Sequence, residues 1–240
     1  PVEVYVNGDY RGLYSRREDI ADAIARFEGL DSAAALNVAD VNKKAFCGDP
    51  AGIASALKQL KALNLSLEAD RQTLSTLLDT ESFLNWAAVN AFFGNLNMKS
   101  DVIFYQVGNG PIKCAMGDFA YALMFAAHNP YASLNTITTD VVIIIESMLL
   151  NQPEYREAFL TKLGALYQAL PTQTLQQAVD AALNLYALAR GEGDRAAWET
   201  AERTSLRASF NAADTRFILD WDIPCSFSLL DFVDDVQDYV

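Results

Sequence analysis

The sequence predicts an α+β fold. An amino-terminal β-hairpin and mixed α/β part over residues 1–120 lead into a mainly helical part over 121–240, within one domain. Three observations carry this. The chain opens with alternating VEVYV, then Asn7-Gly8, then a return run, Tyr10 to Tyr14. A second pair of short strand-like runs, Val102–Val107 and Ile112–Met116, flanks a GNGP turn at 108–111. After residue 150 the apolar residues recur at helical spacing, with short links between segments.

Each element has its local reason. In VEVYV, Val2, Val4 and Val6 alternate with Glu3 and Tyr5, the period of a strand. Asn-Gly suits a type I′ turn, whose central residues both need positive φ. Ser15 to Phe27 places Ile20, Ile24 and Phe27 on one helical stripe, with Glu18 near its start. Residues 28–50 read as irregular, closing on a Gly48-Asp49-Pro50 turn. Gly52 to Asn64 reads as a helix with Ile53, Leu57, Leu60 and Leu63 on one side. Leu65 to Leu78 carries apolar residues at 67, 74, 77 and 78. Asp79 or Thr80 caps the next helix, Glu81 to Phe93, whose Phe83, Trp86, Ala87 and Asn90 fall near one face.

Residues 119–135 read as an irregular lid or loop around His128-Asn129-Pro130. DVVIIIESMLL, Asp140 to Leu150, is a buried helix or strand, too short to span a bilayer and interrupted by Glu146. Pro153 suits a first helical turn, and Glu154 to Leu170 is the clearest helix, striped by Tyr155, Phe159, Leu163, Leu166 and Leu170. Two further helices are expected over 174–189 and 194–210. From Phe217 to Val240 six aspartates interleave with apolar residues: an acidic solvated face, a cation site or a surface for a basic partner.

Composition narrows the function. Half of the 240 residues are hydrophobic, which argues against disorder. The net charge of −13 disfavours nucleic acid, whose phosphates need basic neutralisation. Pro1 opens directly in a strand-like run with no signal-peptide pattern, as expected of a mature or trimmed chain. Cys47, Cys114 and Cys225 form no metal motif; one disulfide with one thiol and three buried thiols are both open. His128 is the only histidine, so it cannot make a zinc site alone. GxGxxG, P-loop and GxSxG patterns are absent.

The stretch GNLNMKSDVIFYQVGNGPIKCAMGDFA, Gly94 to Ala120, is the candidate reaction centre. It groups Asn95, Asn97, Lys99, Asp101 and Asp118 at the mouths of one hairpin. Two carboxylates at opposite ends of a hairpin can approach, and a cation between them would relieve their repulsion. Magnesium favours such hard oxygen ligands and bridges phosphate oxygens. The structural alternatives are a strand cap at Asp101, a turn residue at Asn97 and a backbone-bonded carboxylate at Asp118.

The opening VEVYVNGDYRGLYSRREDI resembles the signature hairpin of the CotH kinase family, where an NGxYxGxY pattern leads to an acidic residue and a helix. A Phe/Trp-rich helix, a GNxD-like turn, a strand pair and a WDxD-like element follow in similar order. IIIESMLLNQPEYREAFLTKLGALYQ resembles the family's leucine-rich and NPEYRExF helices. The likeness runs from Val2 to Trp198.

That resemblance implies a protein-kinase-like fold that uses ATP and a divalent metal, Mg2+, to phosphorylate Ser or Thr of a protein, in a secreted or coat setting. It implies that Glu18 partners an ATP-contacting lysine, with Lys43 or Lys44 in that neighbourhood. Asn97 falls at the catalytic aspartate of GNxD, Asp101 near the asparagine that follows, and Asp118 at the metal-binding first aspartate of WDxD. Three positions depart from the pattern. Asn97 is neutral, and an amide orients a hydroxyl without accepting its proton. Gly117 replaces the tryptophan, and Ala120 the second aspartate. An inactive kinase-like domain is therefore one expectation. The others are a non-catalytic protein-binding or adhesion module and, more weakly, a carbohydrate-active enzyme using a carboxylate pair.

Overall fold

A four-stranded antiparallel sheet, with helices on both faces, positions the residues of interest. The computed structural model describes residues 2–14, 18–95, 97–117 and 140–171, and beyond them 173–175, 177, 178 and 181. Asp118, the 119–135 stretch with His128, Cys225, the helix expected over 194–210, most of 174–189 and the acidic run 217–240 lie outside the described residues.

The opening hairpin forms as its sequence requires. β1 (Val2–Val6) pairs antiparallel with β2 (Asp9–Tyr14). Asn7 and Gly8 take φ of 54° and 88°, the left-handed values of a type I′ turn. The alternation of β1 does not translate into one buried face. The register shifts between Val4 and Tyr5, and Tyr5 and Val6 are both exposed. A bulge turns consecutive side chains away from strict alternation.

α1 (Ile20–Phe27) starts at Asp19, whose carboxylate accepts the Ala21 amide at 2.9 Å. Ile24 is buried, but Phe27 is 83% exposed, so the expected Ile20–Ile24–Phe27 stripe ends a residue early. The segment read as irregular holds the principal correction. After a 3-10 turn at Ala33–Ala35, β3 (Leu36–Asp40) and β4 (Ala45–Cys47) are strands, and β3 is central to the sheet. Its sequence, LNVAD, hid this. A strand covered on both faces needs no polar/apolar alternation, and Ala39 is a weak strand former.

α2 (Ala51–Leu60), α3 (Glu68–Leu77), α4 (Thr80–Phe93) and the single turn α5 (Met98–Asp101) follow. Leu67, one of the apolar residues of the 65–78 run, is 55% exposed at the start of α3. Asp79 caps α4 through the Ser82 amide at 2.9 Å. β5 (Val102–Val107) and β6 (Lys113–Met116) form the second hairpin. α6 (Val141–Leu150) settles the apolar run as a helix with Glu146 buried, and α7 (Pro153–Ala169) carries Pro153 in its first turn. Among the described residues no helix is long and apolar enough to cross a membrane.

The strand order is β4-β3-β5-β6. Its two faces are read directly from the register. Val38 lies opposite Tyr105, and Ile103 opposite Ala115; with Leu36 they pack under α1. Ala39 opposes Phe104, and Phe104 opposes Cys114; this face packs on the larger core of α2, α4, α6 and α7. α4 lies against both α7 and β6, with Phe83 and Phe159 fully buried. Cys47 and Cys114 are free thiols, and burial first, then the nearby Asp79 charge, pushes the Cys114 thiol well up. A thiol so placed is a core residue and not a nucleophile.

Candidate functional site

The site is built outward from the end of α4. Gly94 closes that helix in the left-handed conformation (φ 57°, ψ 47°) and turns the chain back across it. Three amides then bind in series. The Nδ2 of Asn90 donates to the Trp86 carbonyl at 2.8 Å and to the Met116 sulfur at 3.4 Å. The Nδ2 of Asn95 donates to Asn90 Oδ1 at 2.9 Å, and the Asn97 amide donates to Asn95 Oδ1 at 3.2 Å. Asn90 and Asn95 are wholly buried. Polar groups taken out of water need such partners, so the ladder fixes the loop geometry. It ties Asn97 to the core of α4 and to β6 at once.

Asn97 stands at the amino-terminal cap of α5. Its carbonyl accepts the amides of Ser100 at 2.8 Å and Asp101 at 3.0 Å. Its side chain makes no capping bond. Asparagine is a preferred capping residue, so this side chain forgoes a local interaction typical of its position. Asp101 follows one turn later, half-buried, with Oδ2 shielded from solvent.

β6 returns to the same place. The Gly117 amide donates to the Asp101 carbonyl at 2.7 Å, closing the hairpin at its open end. A β-carbon at residue 117 would collide with that carbonyl and come within 3.0 Å of Ile103 Cγ1. The approach of the two strand ends therefore depends on glycine here. Asp118, the next residue along the chain, is outside the described residues.

These positions bear out the order NGxY hairpin, aromatic helix, GN turn, strand pair. The family model described as CotH kinase protein matches residues 1–218. The chain belongs to the CotH kinase family. It is thus a kinase-like domain of α+β build. No curated protein and no solved structure matches it. In this CotH-family chain Asn97, Asp101 and Gly117 converge at one end of the hairpin. Glu18 is not brought to either candidate lysine: its carboxylate binds Arg26 Nη2 at 2.7 Å on the exposed side of α1. Lys43 and Lys44 sit in the exposed β3–β4 turn, where the Lys44 amide donates to Asp40 Oδ1 at 2.9 Å.

The family implies magnesium and ATP. Among the described residues no group of three or more His, Cys, Asp or Glu side chains gathers to hold a metal. Magnesium needs less than that: one or two carboxylates, with phosphates and water completing its shell. Asp101 supplies one hard oxygen donor, so the residues present fit that mode.

A second polar group escaped the sequence reading. Lys113 Nζ lies 2.9 Å from both oxygens of Glu28, and the Tyr105 hydroxyl donates to Glu28 Oε1 at 2.7 Å. The pair is mostly buried, with 27% and 14% of the two side chains exposed. Burial by itself pushes the Glu28 carboxyl up, but Lys113 and Tyr105 together hold it below its ordinary value. Burial first, then the Glu28 carboxylate, pushes the Tyr105 hydroxyl well up. A cavity of about 350 Å³ beside this cluster reaches Asn85, Trp86 and Met116. Partners 77 and 85 residues apart leave no local signal.

Proposed function

We propose that this CotH-family domain binds ATP with magnesium and that Asn97 holds back phosphoryl transfer to a Ser or Thr of a protein substrate. One observation carries the reading. The Asn97 backbone is locked by the Asn90–Asn95 ladder, while its side chain is withheld from capping α5. A locked backbone with an uncommitted polar tip is what positioning an acceptor hydroxyl requires.

Asp101 and Asp118 hold the metal in this reading. Support comes from the Gly117 amide, which bonds to the Asp101 carbonyl. Bound there, magnesium would neutralise charge on the transferring phosphate. The chain's own residues position the hydroxyl, but an amide at 97 cannot take its proton. Glu18, Lys43 and Lys44 are not drawn into the same centre, because Arg26 already holds Glu18 and both lysines sit in another turn.

The test is Asn97→Asp. Transfer of labelled γ-phosphate to the protein itself or to a Ser/Thr-rich protein should rise by about a hundredfold or more, the usual contribution of a general base. An Asn97→Asp protein that melts like the parent and transfers no faster would refute the reading.

A further inference from the structure

A cavity of about 480 Å³ lies at the turn end of the β5–β6 hairpin, between β3, α2, the end of α3 and the turn itself. Six residues of β5, about 20 Å of strand, separate it from Asp101 at the open end. Four side-chain amides line it, those of Asn37, Gln59, Gln106 and Asn109, together with the hydroxyls of Ser55 and Thr76. Among the described residues that line it, Asp49 alone is charged.

Gln106 is buried in the wall of this cavity, 8% exposed. Its Nε2 donates to the Gly110 carbonyl at 2.8 Å, and among the described residues nothing donates to its Oε1. Buried acceptors are ordinarily satisfied, and an exception needs an account. Gly52 leaves this oxygen uncovered: a β-carbon at residue 52 would lie 2.6 Å from it. Other groups around the cavity are also unspent. Asn37 Oδ1 accepts the Asp49 amide at 2.8 Å, which leaves its Nδ2 to donate. Asp49 Oδ1 accepts the Ala51 amide at 2.9 Å, which leaves Oδ2 to accept. The Asn109 side chain is exposed in the turn and makes no hydrogen bond among the described residues.

We propose that this cavity binds a neutral sugar unit. Its unspent donors and acceptors are interleaved, which complements ring hydroxyls, since each hydroxyl both gives and takes a hydrogen bond. Its volume is that of a small-molecule site. An anion would meet Asp49 and no cation. A peptide would find only Ala56 and Leu77 as apolar surface, too little for the side-chain anchors that hold peptides in grooves. The same two residues suit the C–H face of one sugar ring. With a single carboxylate the site binds without cleaving, because glycoside hydrolysis uses a pair. The inference does not depend on the phosphoryl-transfer reading.

The probe is a printed array of neutral mono- and disaccharides of glucose, galactose, mannose and N-acetylglucosamine. The best-bound sugar is then titrated in solution by calorimetry, beside its 6-phosphate ester. Wild-type protein should bind the neutral sugar and bind the ester more weakly. Asn109→Ala removes an unspent amide, and Gly52→Ala sets a methyl group against Gln106 Oε1. Each should weaken binding by about threefold to tenfold, the scale of one neutral hydrogen bond. Asn109 is exposed, and alanine favours the helix at 52, so melting temperatures should hold. Asp101→Asn should bind the sugar like wild type, so failure of the nucleotide reading leaves this test standing. No sugar bound at millimolar concentration, tighter binding of the phosphate ester, or full affinity in both cavity variants would each overturn the proposal. So would capture of a neutral Ser/Thr-rich peptide, lost in Gly52→Ala, with no sugar bound.

Discussion

Glu28 shows how one residue fastens two layers. It caps the end of α1, yet its carboxylate is held by Lys113 of β6 and Tyr105 of β5. Its folded pKa lies below the ordinary 4.5. The group binds its proton more weakly in the folded than in the unfolded chain, so its stabilisation is present above pH 4.5 and is lost as pH falls through the folded value. Glu28→Gln should cost about 1–3 kcal/mol near neutral pH, as for removal of a buried charged hydrogen-bond partner. The gap between variant and parent, measured by urea denaturation, should narrow below pH 4.5. A gap that stays constant down to pH 3 would show that the ionised Glu28 carboxylate does not carry the effect. Asn97 is the contrasting case. Its chemistry was legible from one letter, because an amide has no acidic form to give or take a proton. Its immobility was not legible: the sequence put Asn95 in the candidate centre and Asn90 on a helix face, but only the structure joined their side chains.

At the scale of elements, the α5–β5–β6 unit depends on a close backbone approach. Gly117 meets the Asp101 carbonyl with no room for a side chain. The family resemblance set a tryptophan at this position, a side chain that this backbone approach does not admit. Gly117→Ala should destabilise by about 1–3 kcal/mol, the range for forced overpacking, read from the denaturation midpoint. It should also weaken the proposed magnesium binding, since Asp118 follows Gly117 in the sequence. An alanine variant as stable as the parent would mean that the strand ends part without cost. The elements themselves were read well where one periodicity ruled. α7 follows its Phe159–Leu163 stripe, and β5 and β6 follow their turn. β3 was missed because neighbours on both faces, and not its own sequence pattern, make LNVAD a strand.

For the molecule as a whole, ligand binding to the folded state raises stability by mass action. ATP and magnesium together should raise the melting temperature, by about 5–10 °C at a hundredfold excess over Kd for a chain of this size. Asp101→Asn should abolish that rise. Equal shifts in parent and variant would remove Asp101 from the metal site. The strongly acidic surface, at −13 overall, adds a general field that favours cations and repels anions.

By itself the sequence determined the α+β class, the two hairpins and most of the helices, because strand and helix periods and Asn-Gly turns are local properties of the chain. It also determined the family likeness and the neutral residue at 97. Tertiary structure alone decided that β3 lies in mid-sheet, that Glu28 meets Lys113 and that Asn90 and Asn95 lock the Asn97 backbone. Each of those depends on residues distant in sequence being brought together, and a contact between distant residues leaves no periodic trace in either segment.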